Sequence, residues 1–240
     1  MSFGARIAFF GGSFDPPHLG HVAIARAARD GLALDEVLFA PVGAQPLKPH
    51  GSTASFSDRV RMTELAIHGE PGFAVSYVDA PDAAGKPNYT LATLRRLRAE
   101  LPGYAELFCL MGADSFVNLG SWHGAAEIPF TAALVVASRP GQSWNDLAAV
   151  LPAGLTLCPS TLPRGEQRAG IHVEEYCVRN EQGASAPLYL LPHLDIPISA
   201  TGLRQRLDPA AVAPEVARYI REHGLYGAGN LADAHGNQLR

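Results

Sequence analysis

The chain has 240 residues, 47% hydrophobic and 18% charged, with a formal net charge of −4. That is ample for one sizeable core, and the absence of any basic run argues against a nucleic-acid partner. No apolar stretch approaches the length of a membrane span, and the chain enters a strand almost at once, so neither a membrane helix nor a signal peptide is expected. Three cysteines, Cys109, Cys158 and Cys177, stand far apart without a CxxC pair, which points to a reducing, cytoplasmic setting. Cys109 lies in an apolar strand pattern and is expected to be a buried, inert thiol.

Ala5 to Phe10 is a short apolar run that predicts a buried strand. It runs into Gly11-Gly12-Ser13-Phe14-Asp15-Pro16-Pro17-His18-Leu19-Gly20-His21, after which Leu19, Val22, Ala23, Ala27 and Ala28 recur at helical spacing, up to an end near Gly31. Strand, glycine turn and helix in that order set a helix N-terminus at the carboxyl end of a strand. Such a site attracts phosphate, because unpaired N–H groups and the helix dipole both point at it. His18 and His21 are three apart and share a face of the first turn. Gly20 between them lets a ligand come close to the backbone. Two imidazoles there can donate to phosphoryl oxygens and steady the charge that grows during transfer.

Glu36 to Pro41 predicts a second strand, and the right-handed crossover that joins it to the first implies a parallel sheet. A loop rich in Gly, Pro and Ser, Val42 to Ser57, carries Lys48. Ser57 is expected to cap a helix from Asp58 to about His68, with Met62, Leu65 and Ala66 on its core face. Phe73 to Val78 predicts a third strand. A polar loop from Asp79 leads to Asn88-Tyr89-Thr90, where Thr90 is expected to cap a helix reaching Leu101. Glu106 to Met111 is a fourth, fully apolar strand that ends in Gly112-Ala113-Asp114-Ser115. At a topological switch point Asp114 can accept from ribose hydroxyls, while Gly112 leaves room for a nucleotide.

A fifth strand, Ala132 to Ser138, meets Arg139-Pro140-Gly141. Gln142 to Pro187 is rich in Pro and Gly; His172 to Val178 alternates as an extra strand would. That stretch reads as an elaboration on the sheet, either a cover or an oligomer contact. Leu188 to Leu191 gives the last strand, and in Ile198-Ser199-Ala200-Thr201-Gly202-Leu203-Arg204 either Ser199 or Thr201 is expected to cap a helix to Leu207, with Arg204 one turn inside. Val212 to His223 predicts an amphipathic helix with Val216, Tyr219 and Ile220 inward, closed by Gly224. Gly227 to Arg240 is polar and expected to be a disordered tail. The expectation is α/β: one doubly wound parallel sheet with helices on both faces, a single domain over 1–226 with an elaboration at about 142–187.

The stretch from Gly11 to His21 resembles the signature of the H-x-G-H nucleotidyltransferases, and most closely the nicotinate-nucleotide adenylyltransferases. Further motifs agree in order over about Phe9 to Gly141 and Leu188 to Tyr226. The resemblance implies a Rossmann-like fold in which Gly11, Gly12, Ser13, Phe14 and Gly20 shape a nucleotide site and His18 and His21 face phosphates. It sets Lys48 on the lysine of a Pro-Pro-His-Lys motif that meets the phosphates; Leu47 replaces the histidine. Arg59 and Met62 match an Arg-x-x-Met pattern, with Arg59 either reaching phosphates or exposed on its helix. Asn88-Tyr89-Thr90 matches a Ser-Tyr-Thr turn that holds the pyridine carboxylate. Trp122, followed by His123, matches the tryptophan that stacks on the nicotinate ring. Arg139 falls near the adenylyl side. Ser199, Thr201 and Arg204 fall on Ile-Ser-Ser-Thr-x-Ile-Arg, whose hydroxyls, N–H groups and arginine take the β- and γ-phosphates.

The reaction implied is adenylyl transfer: ATP and nicotinate mononucleotide give deamido-NAD and pyrophosphate in NAD biosynthesis. Mg²⁺ is expected to travel with ATP on its phosphates, since no carboxylate cluster offers a cage. Other acceptors within the same chemistry are nicotinamide mononucleotide, phosphopantetheine or a phosphorylated alcohol; a nucleotide-sensing module is the non-enzymatic alternative. No nucleic acid or membrane partner is expected, and assembly into a homo-oligomer is left open.

Overall fold

The computed structural model describes residues 4–46, 51–138, 149–158, 166–192, 194, 198 and 200–227. Among the described residues nine strands form one sheet: β1 Arg6–Gly12, β2 Glu36–Pro41, β3 Phe73–Val75, β4 Glu106–Gly112, β5 Ala133–Ala137, β6 Leu155–Cys158, β7 Glu166–Arg168, β8 Ile171–Asn180 and β9 Ser185–Leu191. Their order is β3-β2-β1-β4-β5-β9-β8-β6, with β7 paired to β8. Every pairing from β3 to β9 is parallel, while β8 runs antiparallel to β9, β6 and β7. Among the described residues the α-helices are α1 Leu19–Leu32, α2 Phe56–Ala66, α3 Thr90–Glu100, α4 Ala113–Val117, α5 Ile128–Thr131, α6 Ala200–Gln205 and α7 Pro214–Glu222.

Strands buried on both faces need apolar side chains at successive positions, and β4, read Leu-Phe-Cys-Leu-Met from Leu107, supplies them. Leu107, Cys109 and Met111 enter one core with Leu91, Leu94, Phe116 and Ile128, whereas Phe108 and Leu110 enter the opposite core with Phe10, Ala25, Ala28 and Phe39. Helices therefore cover both faces of a Rossmann-like α/β sheet. A third cluster joins α2 to α7 through Met62, Val216 and Ile220. Cys109 is buried, as expected, and burial pushes its thiol up to about 12.

Several local expectations shift. α2 starts earlier than predicted, because Ser55 rather than Ser57 caps it, accepting from the Asp58 N–H at 3.1 Å. Thr90 is the first helical residue of α3 and Tyr89 takes the cap position, without a side-chain cap. β3 stops at Val75, and α7 starts at Pro214 rather than Val212, since proline is pre-set for a first turn. The stretch 142–187 adds antiparallel strands to the parallel sheet. β8 packs on α1: a Cβ added at Gly31 would lie 2.7 Å from Val173 Cγ2. Cys158 and Cys177 oppose each other across β6 and β8 and form a disulfide, so the wide spacing of the cysteines does not argue for a reducing compartment. The tail from 228 onward lies outside the described residues.

Candidate active site

β1 and β4 are parallel neighbours, but the chain leaves β1 toward β2 and leaves β4 toward β5. Their carboxyl ends diverge, and a crevice opens there. Phe14 takes a left-handed backbone with φ of 47°, turning the chain out of β1, and a cis Asp15–Pro16 peptide follows. His18 is extended and holds the N-cap of α1. Its backbone N–H donates to His21 Nδ1 at 3.1 Å, and the two rings stack with centroids 3.7 Å apart. His21 also packs against Phe14 at 5.0 Å and Phe10 at 6.0 Å. Burial first, then the neighbouring His18, holds the His21 pKa well below its ordinary 6.5. A neutral imidazole that accepts at Nδ1 carries its proton on Nε2, so His21 presents an Nε2–H donor.

The loop bearing these histidines is braced from beneath by Arg59. Rather than reaching solvent or phosphate, Arg59 is 1% exposed. It donates from Nη1 to Ser13 O at 2.7 Å, from Nη2 to Val42 O at 2.8 Å and from Nε to Ala54 O at 3.3 Å. The buried Asp15 carboxylate accepts from the N–H groups of Thr53 at 2.6 Å and Ala54 at 3.0 Å, and from the Tyr226 hydroxyl at 2.7 Å. The Asp15 carbonyl accepts from Arg204 Nη1 at 2.8 Å, and Arg204 Nη2 donates to Thr201 Oγ1 at 2.9 Å.

The crevice is a cleft of about 950 Å³. It gathers Gly11, Gly12, Ser13, Phe14, His18, Gly20 and His21 from the first loop and helix with Thr201 and Arg204 of α6. The same walls carry Asn88, Tyr89 and Thr90 at the start of α3, Gly112 and Asp114 beyond β4, and Trp122 and His123. Lys48, Arg139 and Ser199 lie outside the described residues. A Cβ built on Gly112 would meet nothing within 4 Å, so this glycine leaves open space in the cleft wall. Gly112, not Asp114, is the cap of α4, which leaves the Asp114 carboxylate in the first turn. Trp122 packs one side against the core, and the Tyr89 ring lies 4.8 Å from that of His123. Asn88 ties two loops: its Oδ1 accepts from the Ala44 N–H at 2.9 Å and its Nδ2 donates to Ala80 O at 3.4 Å. Ser13 Oγ accepts from Gln45 Nε2 at 2.7 Å.

Sequence reasoning missed the inward use of Arg59, and it missed Asp79, Gln45 and Tyr226. Asp79 lines the cleft, is buried, and is held above the usual carboxylate range by desolvation, with Thr93 donating to it and Arg96 at 3.6 Å. No local pattern marks Tyr226, which stands 211 residues from its partner Asp15. A second recess of about 630 Å³, bordered by Glu127, Phe130 and Glu181, has no basic residue on its walls among the described residues, and its two glutamates are the wrong charge for a phosphate ligand.

Residues 9–206 match the cytidylyltransferase-like family model. The chain is 37% identical over 234 residues to "Probable nicotinate-nucleotide adenylyltransferase" of Xylella fastidiosa (strain M12), covering 91% of this chain and 95% of that protein. It is 40% identical over 227 residues to the protein of the same name from Chromobacterium violaceum, covering 92% and 99%. Among solved structures it is similar in fold to "Plasmodium falciparum nicotinic acid mononucleotide adenylyltransferase complexed with NaAD", with a TM-score of 0.64, 16% identity and coverage of 93% and 98%.

Proposed function

From the premise that this chain belongs to the cytidylyltransferase-like family, and within it to the nicotinate-nucleotide adenylyltransferases, we propose how its own residues carry the reaction. The enzyme joins ATP to nicotinate mononucleotide, giving deamido-NAD and pyrophosphate. A phosphate oxygen of the mononucleotide attacks the α-phosphorus of ATP in line; the new P–O bond forms as the bond to the bridging oxygen of pyrophosphate breaks. The attacking oxygen is already ionised, so no side chain serves as nucleophile, and the protein supplies position and charge.

The observation that carries this reading is the convergence of the His18–His21 turn and the Thr201–Arg204 turn on one cleft. The Nε2–H of His21 and the ring of His18 face the transferring phosphoryl group. Arg204, held by Asp15 O and Thr201 Oγ1, gives the triphosphate a fixed cation. Lys48 and Ser199 are assigned to the same phosphates, Arg139 to the adenylyl side and Asp114 to a ribose. Gly11, Gly12, Ser13, Phe14, Gly20 and Gly112 give the nucleotide its space. Trp122 beside His123 stacks on the pyridine ring. The start of α3, at Asn88, Tyr89 and Thr90, has no side-chain cap, and its orphan N–H groups suit a carboxylate.

Among the described residues no group of three His, Cys, Asp or Glu side chains could hold a metal ion. Mg²⁺ therefore fits as a passenger of the ATP phosphates, whose charge it neutralises. We read 1–226 as one catalytic unit with 142–187 as its elaboration. Among the described residues no helix is long and apolar enough to cross a membrane.

The test is pyrophosphate release with ATP and Mg²⁺, with the nicotinate and nicotinamide mononucleotides compared side by side. A charge-assisted contact to the carboxylate is expected to favour the nicotinate form by about tenfold or more in kcat/KM. Preference for the nicotinamide form would overturn the assignment at α3.

A further inference from the structure

The C-terminal segment reaches back to the first loop at one point that the chemistry above does not use. Tyr226 follows α7, and its backbone takes a left-handed conformation, with φ of 55°, that residues with a Cβ seldom adopt. In that conformation its hydroxyl donates to Asp15 Oδ1 at 2.7 Å. The same oxygen accepts from the Ala54 N–H, and Oδ2 accepts from Thr53. The carbonyl of Asp15 is what Arg204 Nη1 grips. Asp15 therefore joins three stretches: the loop that leads to His18, the segment before α2, and the segment after α7. It also fixes the arginine that faces phosphate.

We propose that Tyr226 is a positioning residue for adenylyl transfer: through Asp15 it holds the guanidinium of Arg204 in register with the His18–His21 turn. This rests on the phosphate-facing role of Arg204 proposed above. Burial and the hydrogen bond to Asp15 push the phenol pKa up, so Tyr226 stays a donor throughout the working range. The structure also contains a built-in control. Tyr219, on α7, donates its hydroxyl to Asp58 Oδ1 at 2.9 Å. That bond docks α7 to α2 without touching Asp15.

The experiment is steady-state pyrophosphate release by purified wild type, Tyr226→Phe, Tyr219→Phe, Arg204→Gln and the double variant Tyr226→Phe/Arg204→Gln. Thermal melts run alongside. Both tyrosine variants keep the ring, so the fold is expected to survive. Tyr226→Phe is expected to lower kcat/KM for ATP about tenfold, the worth of one hydrogen bond to a charged group, and to leave KM for the mononucleotide unchanged. Tyr219→Phe is expected to stay within about twofold of wild type. In the Arg204→Gln background the Tyr226 change is expected to cost under about twofold more, because its route to the substrate is already gone. The proposal is overturned if Tyr226→Phe stays within about twofold of wild type. It is equally overturned if both tyrosine variants lose activity alike, or if the full loss recurs in the Arg204→Gln background. An Arg204→Gln enzyme with full activity would instead strike at the phosphate role of Arg204, and with it the path through which Tyr226 acts.

Discussion

Replacing Arg59 by Met keeps much of the volume beneath the first loop and removes its polar ties. In the native chain the guanidinium makes two short bonds, to Ser13 O and Val42 O, and a longer one to Ala54 O. Each good bond from a charged donor is worth about 1.5 kcal/mol at the low end of its range, so the two short ones give about 3 kcal/mol. Because Arg59 is 1% exposed, water cannot replace the lost donors without opening the loop. For a chain of this size a loss of about 3 kcal/mol lowers Tm by about 6–12 °C. Activity falls too, because Ser13 O is part of the turn that leads to His18. Urea unfolding followed by circular dichroism gives the stability, and pyrophosphate release at a temperature well below the melt gives the activity. A stability change under about 0.5 kcal/mol would refute the idea that this arginine braces the loop rather than contacting ligand.

Three further outcomes follow from the geometry. His21 has a folded pKa below its ordinary 6.5, so below that value the unfolded chain binds more protons. Its contribution to stability is whole above 6.5 and is lost as pH falls toward the depressed value; the stability gap between wild type and His21→Gln is expected to narrow from about pH 7.5 to about 5.5, and parallel curves would contradict it. Gly112→Val places methyl groups in open cleft space, so Tm is expected to move little while kcat/KM for ATP drops about tenfold or more; unchanged kinetics would mean that no nucleotide passes there. Joint replacement of Cys158 and Cys177 by Ser frees a loop of 19 residues and is expected to remove about 3 kcal/mol of stability in urea melts while sparing turnover.

Much of the fold was legible because β1, β2, β4 and β5 are apolar runs, the first three ended by Gly or Pro, and because α1 follows β1 closely. The site was legible where residues adjacent in sequence act together, as His18 and His21 do across one helical turn. The misses share a cause. Arg59 reads from the sequence either as a phosphate contact or as a helix surface charge, because nothing nearby shows that Ser13, Val42 and Ala54 leave carbonyls pointing at it. Tyr226 and Asp15 are brought together by tertiary packing across 211 residues, with α7 against α2, and that packing leaves no local trace. Ser57 lost the cap of α2 to Ser55 because both are good caps and the choice depends on where Asp58 N–H points. Cys158 and Cys177 look unrelated until β6 and β8 pair.

The central claim is that the His18–His21 turn works on the phosphates of ATP in the cleft it shares with Arg204. The most direct measurement is the single-turnover rate of pyrophosphate release by His21→Ala, with saturating ATP, Mg²⁺ and nicotinate mononucleotide. The variant should fold and turn over about 10²-fold or more slowly than wild type. A rate close to that of wild type would contradict the account.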